Sequence, residues 1–204
     1  MPIPTLYAIL DRETLDTRNL RVDDIARELH DAGVTLLQYR DKHNAPQEIL
    51  RAAAEISAIF ADTNATLIMN DRADLAKLAG WNAVHVGQGD LPIAAAKKLV
   101  NYVGISTNNG TQVLEADTTD ADYIATGPVF TTTTKSDAPS VVGLAGVRRA
   151  HSCTSKPLVA IGGITLENAS NVLEAGADSV AIISGLFIPG RTVAEVAHDF
   201  LHLR

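Results

Sequence analysis

"SVAIIS", residues 179–184, is the last of eight short apolar runs, and counting it decides the fold. The other seven are LYAIL (6–10), TLLQYR (35–40), TLIMN (66–70), AVHVG (83–87), YVGIS (102–106), YIATG (123–127) and PLVAIG (157–162). Runs of this length, rich in β-branched residues, suit buried strands. Helix-like spacing fills the gaps, over residues 23–30, 46–60, 73–79, 92–100, 111–116, 144–151, 166–175 and 193–203. In the first of these, Ile25, Ala26 and Leu29 share a face. Pro46 stands in the first turn of the second, where a missing N–H costs little. Gly33, Gly80 and Gly176 follow three of the segments, where a left-handed residue ends a helix.

Strict alternation of strand and helix implies a parallel sheet. Eight units suit closure, so the expected fold is α/β, a single (β/α)8 TIM barrel with short loops spanning 1–204 as one domain. An open doubly wound sheet is the alternative. It is disfavoured because no G-x-G-x-x-G opens the first helix.

Composition narrows the function. The chain has 204 residues, of which 46% are hydrophobic, enough for a sizeable core. Its net charge is −7 and it has no Lys/Arg cluster, which weighs against nucleic acid as a partner. Positive charge for an anionic ligand would have to come from a few placed cations or a metal. The single cysteine, Cys153, excludes an internal disulfide and fits a reducing compartment. No apolar run approaches a membrane span, and the N-terminus does not read as a signal peptide, so a cytoplasmic location is expected.

A barrel keeps its chemistry at the C-terminal ends of its strands, and polar residues collect there. The second run ends Gln38-Tyr39-Arg40-Asp41-Lys42, and alternation puts Gln38 and Arg40 on one face. With Lys42 they form a plausible phosphate clamp. Asp71 and Asp90 leave neighbouring strands. Each could cap a helix, but together they suit Mg²⁺, which favours one or two carboxylates plus substrate phosphate. Ser106 stands at the rim of the fifth strand. Gly162-Gly163 and Ser184-Gly185 end the last two strands, where backbone N–H groups often hold phosphate. After the sixth strand, TGPVFTTTTKSDAPS (126–140) places Thr132, Thr134 and Lys135 beside that phosphate position. Gly127-Pro128 argues against a continuing central strand there. His85, in mid-strand, reads as structural. His198 and His202 have metal-ligand spacing but no evident third ligand.

These residues resemble the thiamine-phosphate synthase family. The motifs are the Q-x-R-x-K of Gln38 to Lys42, Asn70-Asp71, the Gly87 to Asp90 turn, Gly104-Ile105-Ser106, the Gly127 to Lys135 segment, Ile161 to Ile164, and Ile183-Ser184, in that order along nearly the whole chain. The resemblance implies a transferase that joins a hydroxymethylpyrimidine diphosphate to a thiazole phosphate. It implies that Gln38, Arg40, Lys42, Asn70, Ser106 and Lys135 hold the diphosphate substrate. Thr132, Thr134, Gly163, Ile183 and Ser184 would hold the thiazole phosphate, and Asp71 and Asp90 the Mg²⁺. Arg40, Lys42, Lys135 and Ser106 would carry the catalytic load in a dissociative reaction.

A thiazole tautomerase is the nearest alternative, and a non-catalytic barrel binding thiazole phosphate or thiamine phosphate a third. The tautomerase pattern lacks the second carboxylate and carries a histidine in the loop after the fifth strand, whereas this chain has Asp90 and Asn108-Asn109. Two departures from the synthase pattern are Asn108, where many members have histidine, and Thr131, where proline is usual.

Overall fold

The computed structural model describes residues 3–132 and 140–203. Eight parallel strands form a closed barrel in sequence order: β1 (Leu6–Asp11), β2 (Leu36–Arg40), β3 (Thr66–Asn70), β4 (Ala83–Val86), β5 (Tyr102–Thr107), β6 (Tyr123–Thr126), β7 (Leu158–Ile161) and β8 (Ser179–Ile182). Closure is made by β1 on β8, with Leu6, Tyr7 and Ala8 in register with Val180, Ala181 and Ile182. The helices are α1 (Arg12–Thr17), α2 (Val22–Asp31), α3 (Pro46–Ile59), α4 (Ala73–Leu78), α5 (Ile93–Ala96), α6 (Gly110–Asp117), α7 (Gly143–Ser152), α8 (Leu166–Glu174) and α9 (Val193–Leu201), with one 3-10 turn at Ser184–Leu186. No helix among the described residues is long and apolar enough to cross a membrane.

All eight expected strands are present, and β6 stops at Thr126, before Gly127-Pro128. Gly33, Gly80 and Gly176 take positive φ just beyond α2, α4 and α8, where side-chain-free residues let the chain turn back. Two helical expectations need correction. The segment expected over residues 92–100 is α-helical only over Ile93–Ala96. Lys98 and Leu99 bond three residues back, to Ala95 and Ala96, and tighten the chain so that Asn101 and Tyr102 reach the Asn82 carbonyl. Conversely, α1 was not expected. It buries only Thr14 and Leu15, too little for an apolar spacing to register, and it starts because Asp11 caps it.

Alternation along each strand builds two cores. Outward residues such as Leu10, Leu37, Met69, Val84 and Ile182 pack under the helices. Inward residues, among them Tyr7, Ile9, Leu36, Ile68, Tyr123, Val159 and Ala181, fill the barrel. Tyr123 dominates the interior. Its ring stacks on Tyr102 at 5.6 Å and on His85 at 5.5 Å, and meets Tyr7 edge-on at 5.9 Å. Gly104 makes this possible, since a Cβ there would lie 1.9 Å from the Tyr123 ring. Replacing it, as in Gly104→Ala, must therefore displace the ring. The expected loss is about 1–3 kcal/mol of stability, read as a lower urea midpoint with unchanged slope. A wild-type midpoint would contradict this packing.

Candidate active site

A cavity of about 330 Å³ opens at the C-terminal ends of the strands. Of the thirteen candidate residues, the eleven that are described all line it: Gln38, Arg40, Lys42, Asn70, Asp71, Asp90, Ser106, Thr132, Gly163, Ile183 and Ser184. Thr134 and Lys135 lie outside the described residues. Ile9, Ala125, Val159 and Ala181 give the floor an apolar surface.

Arg40 is not the open clamp that the sequence suggests. It lies in register with Asp11 on β1, and its guanidinium donates to the Asp11 carboxylate as a buried ion pair. The second Asp11 oxygen accepts from the Thr14 backbone N–H at 3.0 Å and from the Thr14 hydroxyl at 2.6 Å. One carboxylate thus caps α1 and fixes Arg40. Pairing is what burial requires, because an isolated charge would be too costly there. The Arg40 Nε and the Asn70 amide nitrogen are buried without a protein partner. Buried donors of this kind are expensive to leave unmade, and both belong to side chains that line the cavity, so an acceptor-rich ligand suits them.

The acidic corner is equally constrained. Asp71 follows β3 with a left-handed backbone, φ +59°, a conformation Asp tolerates better than most residues. Its N–H donates to the His85 carbonyl at 2.7 Å, and Lys42 Nζ lies 3.0 Å from its carboxylate. Asp90 accepts from the Gly87 N–H at 2.7 Å, closing the turn after β4. Neither carboxylate caps a helix: Arg72 and Pro92 occupy the N-cap positions of α4 and α5, and neither helix has a side-chain cap. The Asp90 carboxyl is held above its usual range, mainly by burial; the Gly87 N–H works against this, the Asp71 carboxylate adds to it, and Lys42 opposes it. Two neighbouring carboxylates that repel one another suit a shared divalent cation. Among the described residues no group of three or more His, Cys, Asp or Glu is placed to hold a metal, so the pair would need further ligands from a substrate or water.

At the opposite side the loops after β6, β7 and β8 interlock. Val129 and Phe130 donate to the Ile161 and Gly162 carbonyls at 2.9 Å. A Cβ on Gly162 would meet Pro128 at 2.5 Å, and one on Gly163 would meet the Thr131 carbonyl at the same distance. The glycine pair is thus required by loop packing, a reason independent of any phosphate. Its consequence is still a bare backbone at the cavity wall beside Thr132, Ile183 and Ser184.

Sequence reasoning missed a buried polar line across the barrel. Gln38 donates its amide N–H to the Tyr7 hydroxyl at 2.6 Å, and Tyr7 meets the Tyr123 hydroxyl at 2.9 Å. Tyr123 meets His85 Nδ1 at 2.8 Å, and His85 Nε2 meets the Ser106 hydroxyl at 2.8 Å. His85, read as structural, therefore lines the cavity and contacts a candidate site residue. The available signal was parity: Ala83, His85 and Gly87 alternate onto the inward face. Asn108 also lines the cavity, while its N–H is held by Gln112 at 2.7 Å. His198 on α9 and His202 just beyond it are stacked, ring centroids 4.1 Å apart, and no metal-holding group of three among the described residues includes them.

The family model described as thiamine monophosphate synthase matches residues 6–186. A thiamine-phosphate synthase of Koribacter versatilis is 44% identical, over 99% of this chain and 98% of its own. One from Chloroflexus aurantiacus is 41% identical, over 76% of this chain and 72% of its own. The solved thiamine phosphate pyrophosphorylase of Pyrococcus furiosus superposes with a TM-score of 0.85 at 31% identity, covering 96% of this chain and 93% of its own. A match of this extent is not a likeness of fold alone: the chain belongs to the thiamine monophosphate synthase family, whose members are transferases.

Proposed function

We propose that this enzyme joins a hydroxymethylpyrimidine diphosphate to a thiazole phosphate, giving thiamine phosphate and diphosphate. The observation that carries this reading is the convergence of eleven motif residues, scattered from Gln38 to Ser184, on one cavity. Gln38, Arg40, Lys42, Asn70 and Ser106, with Lys135, hold the pyrimidine diphosphate. Thr132, Thr134, Gly163, Ile183 and Ser184 hold the thiazole phosphate. The whole span 1–204 acts as one barrel domain, in the cytoplasm.

Charge at the diphosphate end argues for a metal. Arg40 and Lys42 face three carboxylates, Asp11, Asp71 and Asp90, so the described charged groups in this corner leave a net negative charge. Lys135, outside the described residues, would at most balance these charges, so net attraction for a diphosphate would have to come from an added cation. Asp71 and Asp90 would hold Mg²⁺, which when bound supplies positive charge to the leaving diphosphate.

The reaction is dissociative. The bond from the methylene carbon to the bridging oxygen breaks, and its electron pair leaves on diphosphate. The amino group of the pyrimidine feeds electron density to the resulting cation. The thiazole nitrogen lone pair then forms the new C–N bond. No nucleophilic side chain is needed. What the chain supplies is charge on the leaving group, from Arg40, Lys42 and Lys135. Apolar walls at Ile9, Ala125, Val159 and Ala181 keep water from the cation.

Purified protein given both substrates and Mg²⁺ should form thiamine phosphate, and should form none without the pyrimidine diphosphate. A thiazole isomerase would act on the thiazole phosphate alone. Folded protein making no product with Mg²⁺ present would refute the activity. Asp71→Asn and Asp90→Asn should each lower kcat by about 10²–10³ and raise the Mg²⁺ concentration needed for half-maximal rate. Near-normal rates at low Mg²⁺ would remove the metal assignment. Lys135→Ala should keep the folded circular dichroism spectrum and lose most turnover. Asp11→Ala strands the buried Arg40 charge, and urea unfolding should show a loss of about 3–5 kcal/mol; a loss well under 1 kcal/mol would mean that Arg40 reaches water without its partner.

A further inference from the structure

Four hydrogen bonds tie Gln38 on β2 to Ser106 on β5 through Tyr7, Tyr123 and His85, at 2.6, 2.9, 2.8 and 2.8 Å. Tyr7, Gln38 and Tyr123 are at most 2% exposed and His85 is 8% exposed. Each phenol has one proton to give. Gln38 donates to the Tyr7 oxygen, so the Tyr7 proton is directed to its other partner, the Tyr123 oxygen. Tyr123 then accepts from Tyr7, and its own proton goes to His85 Nδ1. With Nδ1 accepting, the ring proton of a neutral imidazole sits on Nε2 and is donated to the Ser106 oxygen. That leaves the Ser106 O–H free to point elsewhere, and Ser106 lines the cavity.

We propose that Tyr7, Tyr123 and His85 are positioning residues: they transmit the orientation of the Gln38 amide across the barrel and so fix Ser106 as a hydrogen-bond donor toward the substrate. The direction is a property of the whole line, because reversing any one donor reverses all that follow it. Burial keeps both phenols protonated, pushing Tyr7 and Tyr123 well above the usual tyrosine range. The packing holds the line in place. Tyr123 is clamped between the Tyr102 and His85 rings, and Gly104 leaves room for it. The Ser106 proton therefore favours a ligand acceptor, such as a ring nitrogen. Only this last consequence rests on the proposed substrate; the hydrogen-bond direction does not.

The test separates the two. In ¹⁵N-histidine-labelled protein, with the His85 resonances assigned by His85→Gln, the ring should carry its proton on Nε2. The decisive variant is Gln38→Glu. A carboxylate can only accept, so Tyr7 must donate to it, and every bond of the line turns round. His85, three hydrogen bonds away, should switch its proton from Nε2 to Nδ1. Tyr123→Phe should remove the donor to Nδ1 and lower kcat/KM for the pyrimidine diphosphate about tenfold, the worth of one neutral hydrogen bond, with KM for the thiazole phosphate unchanged. A proton on Nδ1 in the unmodified protein, or a His85 tautomer unmoved by Gln38→Glu, would overturn the proposal even in an active enzyme. The unmodified protein alone gives the first of these readings if a variant fails to fold. Inactivity with the expected tautomers would instead count against the substrate assignment.

Discussion

Leu6, Tyr7 and Ala8 of β1 pair with Val180, Ala181 and Ile182 of β8, and this ladder leaves the sheet without a free edge. The closed ring turns the period-two alternation of every strand into an inside and an outside. Residues at the C-terminal ends of β2, β3, β5 and β8 are far apart in the chain but are forced to look into one space. The cavity is the upper part of that space, above the level where Tyr7, Tyr102 and Tyr123 fill the barrel. Gly104 is the counterpart of this filling: one strand gives up a side chain so that its neighbour's ring can cross toward the axis.

A polar interior of this kind is stable only if its groups are paired. Arg40 is held by Asp11, Lys42 by Asp71, and Gln38, Tyr7, Tyr123, His85 and Ser106 by one another. Of the three buried polar atoms without a protein partner among the described residues, Arg40 Nε and the Asn70 amide nitrogen lie on side chains that line the cavity, and the Tyr102 hydroxyl does not. Pairing has a second effect. Arg40 and Lys42 each already have a carboxylate, so neither stands in the corner as an unpaired positive charge.

The three loops at the other side solve a packing problem first. Gly162 and Gly163 are bare because Pro128 and Thr131 press against them, and Gly185 is bare because the Ile164 carbonyl lies where its Cβ would be. Close approach of three backbones gives a wall without side chains, and such a wall can lie against a phosphate. Packing alone accounts for these glycines, so their presence in the sequence could not by itself indicate a phosphate site.

The sequence alone determined the eight strands, most of the helices and the parity that sends Gln38 and Arg40 to one face, because apolar period and turn residues are local properties. It also placed Asp71, Asp90, Ser106 and Ser184 at strand ends. It did not show α1, whose buried side is two residues, nor that Asp11 would partner Arg40, since that contact depends on the register of β1 against β2. It left Asp71 and Asp90 open between capping and metal binding; only the backbone around Arg72 and Pro92 removed the first option. His85 read as structural because a histidine within an apolar run looks the same whether it faces a helix or a cavity. Its neighbours, Tyr123 and Ser106, come from strands 38 and 21 residues away and meet it only when the barrel closes. Local pattern fixes which way a side chain points; what it then touches is decided by strands that the local pattern cannot see.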